Sequence, residues 1–247
     1  MSKKLVAYIT TAYPDRNFTV DLALALSESG VDSLELGIPF SDPLADGPII
    51  EEANLRTLQN GFKLETLFDI SKEIAFKIDT LWMGYFNTFY HKGIPFFVNQ
   101  AVDSRVSGFI IPDLPNEESK LYLPIMEQSN LALISFVAPT SPKERIKELV
   151  ENSKKFIYLV AYAGITGSGA NEDLKDTIEH IREYSQTPIY VGFGVNEKTA
   201  KAKSSGVDGV IVGSAFVKIL LDDSLGYSQK IKEISVMAKN IKDLINS

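Results

Sequence analysis

Short apolar runs rich in β-branched and aromatic residues recur along the chain at 5–10, 33–37, 80–83, 108–111, 131–137, 156–160, 188–192 and 209–212. Between most of them lie longer segments whose apolar residues repeat at helical spacing, such as VDLALALSESG (20–30), LETLFDISKEIA (64–75), KERIKELVENS (143–153) and EDLKDTIEHIREY (172–184). Runs this short have the length of buried strands, and a repeat at i, i+3, i+4 and i+7 gives a helix one apolar face. The pattern therefore predicts eight strands alternating with helices. Punctuation agrees: Gly30 and Gly61 stand where helices should stop, and Ser141 before Pro142 reads as a cap followed by a first-turn proline.

Eight strands alternating with helices in 247 residues is the inventory of an α/β chain folded as a (β/α)8 TIM barrel, with residues 1–247 as a single domain. A doubly wound open sheet is the alternative. No strand followed by a GxGxxG turn opens the chain, however, and the glycine-rich turns follow the last three strands, where barrels build phosphate sites.

Composition narrows the function. Lysine and arginine number 25 against 32 acidic residues, a formal charge of −7, and no dense basic run occurs, which argues against nucleic acid and anionic membrane surfaces as partners. The absence of cysteine excludes disulfides, thiolate catalysis and thiolate metal sites. His91 and His180 are far apart and are expected to be solvent-exposed, so no metal site is expected. Met1-Ser2-Lys3-Lys4 leads straight into a run too short for a secretory signal, and no uncharged apolar run approaches the roughly 18 residues that span a bilayer. The expectation is a soluble, cytoplasmic protein.

The stretch LELGIPFSDPLADGP (34–48) holds the candidate chemistry. If Leu34 and Leu36 meet the helix layer, Glu35 between them must point into the barrel. An unpaired ionised carboxylate there is costly, so Glu35 is paired, protonated or kept for chemistry, and no lysine or arginine is placed on the other strands to pair with it. Asp46 follows on the loop after the same strand, at the end of the barrel where active sites lie. Two carboxylates, one in a dry place and one in a wetter place, can take different acid/base roles. Asp42 before Pro43 has the look of an ordinary turn former.

Three loops look suited to an oxyanion: AYAGITGSGA (161–170), VGFGVN (191–196) and IVGSAF (211–216), the last opening a helix at Ser214. The first is long and rich in Gly164, Gly167, Ser168 and Gly169, which also suits a mobile lid.

The run LELGIPFSDPLADGPIIEEANLRTL resembles the signature of the tryptophan synthase alpha chain, and the likeness extends through Ile110-Ile111-Pro112-Asp113-Leu114-Pro115, Gly164-Ile165-Thr166-Gly167, Gly192-Phe193-Gly194 and Gly213-Ser214. The resemblance implies aldol cleavage of indole-3-glycerol phosphate to indole and glyceraldehyde 3-phosphate. It implies Glu35 as the principal acid/base and Asp46 as the group that holds the indole N–H and offsets charge on the protonated ring. It places Tyr158 beside the glutamate, Thr166 beside Asp46 under a closed lid, and Tyr8 and Tyr85 along the indole pocket. Phosphate contacts fall to Gly167, Gly194, Gly213 and Ser214. No cofactor is implied in this chain; pyridoxal phosphate is expected in a beta-chain partner, within an alpha-beta-beta-alpha complex.

Many members of that family begin with a helix before the first strand, whereas only about four residues precede it here, so the bottom of the barrel is expected to be covered differently or left more open. Asp42 and Pro43 are the expected partner contacts. The plain alternative is a stiff turn with Leu44 tucked into the barrel rim. A stand-alone lyase releasing indole, and a catalytically idle regulatory subunit, remain as competing functions; intact Glu35 and Asp46 argue against the second. No lysine is set by any motif as an amine nucleophile, which disfavours a Schiff-base aldolase.

Overall fold

The structure, a computed structural model, describes residues 2–161 and 174–247. Its strands are β1 (Lys4–Thr10), β2 (Ser33–Gly37), β3 (Asp79–Met83), β4 (Gly108–Ile110), β5 (Ala132–Leu133), β6 (Ser135–Val137), β7 (Ile157–Val160), β8 (Ile189–Gly192) and β9 (Gly209–Val212). All ladders are parallel, in the order β5-β4-β3-β2-β1-β9-β8-β7-β6. Because β5 and β6 are consecutive in the chain, the two ends of this sheet meet through Ile134, and the sheet forms a nearly closed TIM barrel with helices between its strands.

The single run expected at 131–137 is thus two short ladders. Its first half pairs with β4 and its second with β7, while Ile134 N still donates to Phe109 O at 2.9 Å. One strand serving both edges changes partner at the seam, and the ladder breaks there.

Strand alternation sorts the core into two layers. Leu34, Leu36, Trp82, Phe109, Ile157, Leu159, Val191 and Val210 pack outward against the helices. Val6, Leu81, Ile110, Ile134, Phe156, Tyr158 and Ile211 fill the interior. Glu35 has the interior phase of β2, level with Tyr8 on β1 and Leu81 on β3. The outer layer closes with aromatic edge contacts such as Trp82 to Phe109 at 5.9 Å between ring centres.

Helix ends follow the expected punctuation with one shift. Gly30 and Gly61 stand at φ of +90° and +80° just past their helices. Helix Lys143–Val150, however, has Pro142 itself at the cap, with extended backbone, and the Pro142 carbonyl accepts from Ile146 N at 2.9 Å. Ser141 instead closes the preceding turn through its N–H to Ala138 O.

At the N-terminal ends of the strands, the last helix (Tyr227–Ile245) ties down the start of β1. Lys242 Nζ donates to Lys3 O at 2.8 Å and to Asp32, and Asn246 Oδ1 accepts from Lys3 N at 2.7 Å. Burial would push Asp32 up, but hydrogen bonds from Lys242, Lys4 and Leu5 N outweigh it and hold its carboxyl below the ordinary range. Among the described residues, no helix is long and apolar enough to cross a membrane.

Candidate active site

A cavity of about 740 Å3 opens at the C-terminal ends of the strands. Glu35 and Tyr8 enter it from neighbouring strands, Tyr158 and Ile110 from the opposite side, and Asp46 from the loop after β2.

Glu35 is 2% exposed, and its Oε1 has no hydrogen-bond partner among the described residues. Burial alone pushes its carboxyl up to about 8. The structural ion pair left open by the sequence is not formed with any described residue. Asp46 is half-buried. Burial raises its carboxyl to about 6, against the opposing effect of hydrogen bonds from Tyr85 and from Asn54, whose Nδ2 donates to Oδ2 at 3.1 Å. At neutral pH the two groups differ in state: Glu35 holds its proton, and Asp46 is mostly ionised.

The supports of Asp46 have local causes. The helix Pro48–Gln59 starts two residues after it, with Gly47 at the cap and Pro48 in its first turn. An anion just before a helix gains from the helix dipole. Two turns along, Asn54 is 2% exposed and its amide returns to the carboxylate. Tyr85 is also 2% exposed and stacks on Phe40 at 5.3 Å; its hydroxyl accepts from Ala45 N at 3.0 Å, next to Asp46, whose carboxyl it helps to hold down. Tyr85 therefore reaches the site through Asp46 and is not in the cavity wall.

The aromatic walls depend on two glycines. Tyr8 leans across β2 so closely that a Cβ on Gly37 would stand 2.2 Å from its hydroxyl oxygen. Tyr158 leans across β8 in the same way, with a Cβ on Gly192 falling 2.3 Å from its ring. Burial raises both hydroxyls, with nearby carboxylates adding to it, so both tyrosines are neutral donors. Tyr158 stacks on Phe136 at 4.9 Å and meets the edge of Phe193 at 6.2 Å.

Gly194, Gly213 and Ser214 line the other end of the cavity. The turn carrying Gly194 is pinned by Thr199 Oγ1 donating to Gly194 O at 2.7 Å and Lys203 Nζ donating to Phe193 O at 2.9 Å. Ser214 opens the helix Ser214–Leu220, whose first N–H groups have no intrahelical acceptor. Thr166 and Gly167, with Gly164, Ser168 and Gly169 of the expected lid, lie outside the described residues. Asp42 is exposed and accepts from Ser41 Oγ at 2.5 Å, and Pro43 is half-buried. Leu44 is 85% exposed, so it is not tucked into the rim.

Asn54, Phe136, Phe193, Lys198 and Lys218 are not among the expected site residues, although Asn54 and Phe193 lie inside runs quoted for the resemblance. Phe136 was legible in principle, since it shares the interior phase of Ile134. Asn54 was not, because only helix geometry returns it to Asp46.

Known proteins offer a comparison. A sequence model of the family described as tryptophan synthase alpha chain matches residues 1–246. The chain is 59% identical over 246 residues to the tryptophan synthase alpha chain of Wolinella succinogenes, covering 99% of this chain and 96% of that one. It is 38% identical over 247 residues to that of Petrotoga mobilis, covering 98% and 95%. Among solved structures, the tryptophan synthase subunit alpha of Campylobacter jejuni is similar at a TM-score of 0.87 and 36% identity, with 96% of each chain covered.

Two outcomes follow from this geometry. A side chain at Gly192 must displace the Tyr158 ring, so Gly192→Ala should cost about 1–3 kcal/mol, the usual range for overpacking, in chemical denaturation. Unchanged stability would mean the ring is free to move. For Glu35, the folded carboxyl lies at about 8 against an ordinary value of 4.5, so the folded state holds the proton more tightly than the unfolded chain. That contribution is complete below pH 4.5 and is lost as pH rises through about 8. Glu35→Gln has no such proton, so the parent should lose stability relative to the variant across this window. A pH-independent difference would exclude titration of Glu35 there.

Proposed function

The chain belongs to the tryptophan synthase alpha chain family, and from that premise we propose how its own residues perform the family's reaction, the aldol cleavage of indole-3-glycerol phosphate to indole and glyceraldehyde 3-phosphate. The observation that carries the proposal is a protonated, unpartnered Glu35 sharing one cavity with an ionised, oriented Asp46.

Cleavage needs a proton on indole C3 and the loss of a proton from the adjacent glycerol hydroxyl. Glu35 donates the first and, as the carboxylate it then becomes, accepts the second. The C–C electron pair returns to the ring as the aldehyde carbonyl forms, so the enzyme ends in the protonation state in which it began. Asp46 takes the indole N–H and offsets the positive charge on the C3-protonated ring. Tyr8, Tyr158 and Phe136 supply flat apolar walls for the indole, and Tyr85 and Asn54 orient Asp46. The phosphate sits at the glycine end, on Gly194, Gly213 and Ser214, with Gly167 assigned to the same site, and Thr166 to a place beside Asp46, by resemblance. We read residues 1–247 as one barrel domain, since the described strands form one sheet.

The family's alpha chain name implies a beta-chain partner. In our reading the pyridoxal phosphate belongs to that partner, the assembly is alpha-beta-beta-alpha, and the complex works in the cytoplasm. The loop of Asp42, Pro43 and Leu44 suits the contact, because an exposed leucine on the loop that carries Asp46 lets a partner bias the position of the aspartate.

Indole formation from indole-3-glycerol phosphate tests the chemistry. Glu35→Gln should lower kcat by about 10²–10⁴-fold with KM little changed, the usual worth of a general acid/base. Asp46→Asn should lose about 10²–10³-fold, as for removal of one group that stabilises transition-state charge. Turnover within a few-fold of the parent in either variant would remove that residue from the mechanism. With saturating beta chain, the parent's turnover should rise, and Asp42→Ala and Pro43→Ala should blunt the rise. Equal stimulation of all three would place the coupling elsewhere.

A further inference from the structure

The cavity does not stop at the glycine end. Its wall continues along Asn196, Glu197 and Lys198 on one side and Ala215 and Lys218 on the other, out to Met237 on the last helix. Lys218 lies one turn beyond Ser214 on the same helix face, and Lys198 lies four residues beyond Gly194 on the same loop. Both lysines are exposed, and among the described residues neither ammonium has a hydrogen-bond or ion-pair partner. The neighbouring Lys203 differs, since its ammonium is held on Phe193 O at 2.9 Å. The acidic group of this wall, Glu197, is engaged by Asn240 Nδ2 at 2.7 Å.

We propose that Lys198 and Lys218 form a basic mouth that draws the phosphate group of the substrate, and of the three-carbon product in the reverse direction, into the glycine end of the cavity. This rests on the function proposed above and adds the group that sets affinity for the anion. The physical need comes from the rest of the protein. The chain carries a net charge of −7, and the cavity already contains an ionised Asp46, so a phosphate dianion approaches against an unfavourable field. Backbone N–H groups orient a phosphate at contact but carry no net charge to act at longer range. Charges spread over the surface are screened beyond about 8 Å at physiological salt, so the groups on the outer wall decide, and there Lys198 and Lys218 stand against the single carboxylate of Glu197. Lysine suits this role because a hydrated point charge on a flexible stem attracts without imposing one geometry.

A probe that cannot react separates this proposal from the catalytic one. Binding of glycerol 3-phosphate to the full chain is measured by calorimetry at low and high salt. The chains compared are the parent, Lys198→Gln with Lys218→Gln, and Lys198→Arg with Lys218→Arg; kcat and KM for indole formation are taken alongside. The double glutamine variant should bind about tenfold more weakly at low salt, with the gap closing at high salt, as expected for two solvent-exposed charges. KM should rise with kcat preserved, and the arginine pair should restore both affinity and salt dependence. Parent-like affinity and salt dependence in the glutamine variant would overturn the proposal, as would salt-independent binding by the parent. A parent that binds the probe with the expected salt dependence but forms no indole would sink the catalytic reading and leave the basic mouth standing.

Discussion

A carboxyl group without a partner in the interior of a parallel barrel is the constraint to which the rest of this structure answers. Ionised, Glu35 would have to be offset by a cation, and none of the described residues supplies one. Kept protonated by its surroundings, it costs only the hydrogen bonds it fails to make, on the order of 1–3 kcal/mol, which a barrel with this much buried apolar surface tolerates. The apolar interior around Leu81, Ile110 and Ile211 is therefore what makes the acid available near neutral pH.

Asp46 answers the same constraint from the opposite side. It has to stay ionised beside a dry cavity, and the fold arranges this with a helix that begins just behind it and two buried donors, Asn54 and Tyr85. That helix is in turn held at its solvent side by Arg56, which donates to Tyr13 OH at 3.3 Å and Asp223 at 3.1 Å, bridging the loop after β1 and the segment after Ser214–Leu220. Exposed ion pairs of this kind are worth little, about 0–1 kcal/mol, so the packing of Ala53 and Thr57 holds the helix and Arg56 only trims its position. Acid, carboxylate and glycine end thus share supports that run from one strand end to the next around the barrel rim.

The cavity joins two kinds of recognition. Its deep end is a set of aromatic faces whose approach depends on the missing side chains of Gly37 and Gly192, and its outer end is backbone and hydroxyl groups of Gly194, Gly213 and Ser214. In the function proposed above, a ligand that is a flat ring at one end and a phosphate at the other would span both, with the bond between them near Glu35 and Asp46.

The alternation of apolar runs and helical periods was enough to predict the barrel, because the two periods, 2.0 and 3.6, are local properties of the backbone. It was also enough to place Glu35 in the interior, since its neighbours Leu34 and Leu36 claim the helix side, and the spacing to Asp46 put both carboxyls at the same end. The sequence did not show that the fifth strand divides at Ile134, that Pro142 rather than Ser141 caps its helix, or that Leu44 faces solvent. Nor did it show that Tyr85 acts from behind Asp46, that Gly192 serves the Tyr158 ring, or that Asn54, Lys198 and Lys218 reach the cavity. Those features depend on which segments meet across the barrel. A side chain's phase on its own strand or helix is set by residues a few positions away, but its partner in space is set by how the strands close and the helices pack, and only the tertiary structure decides that.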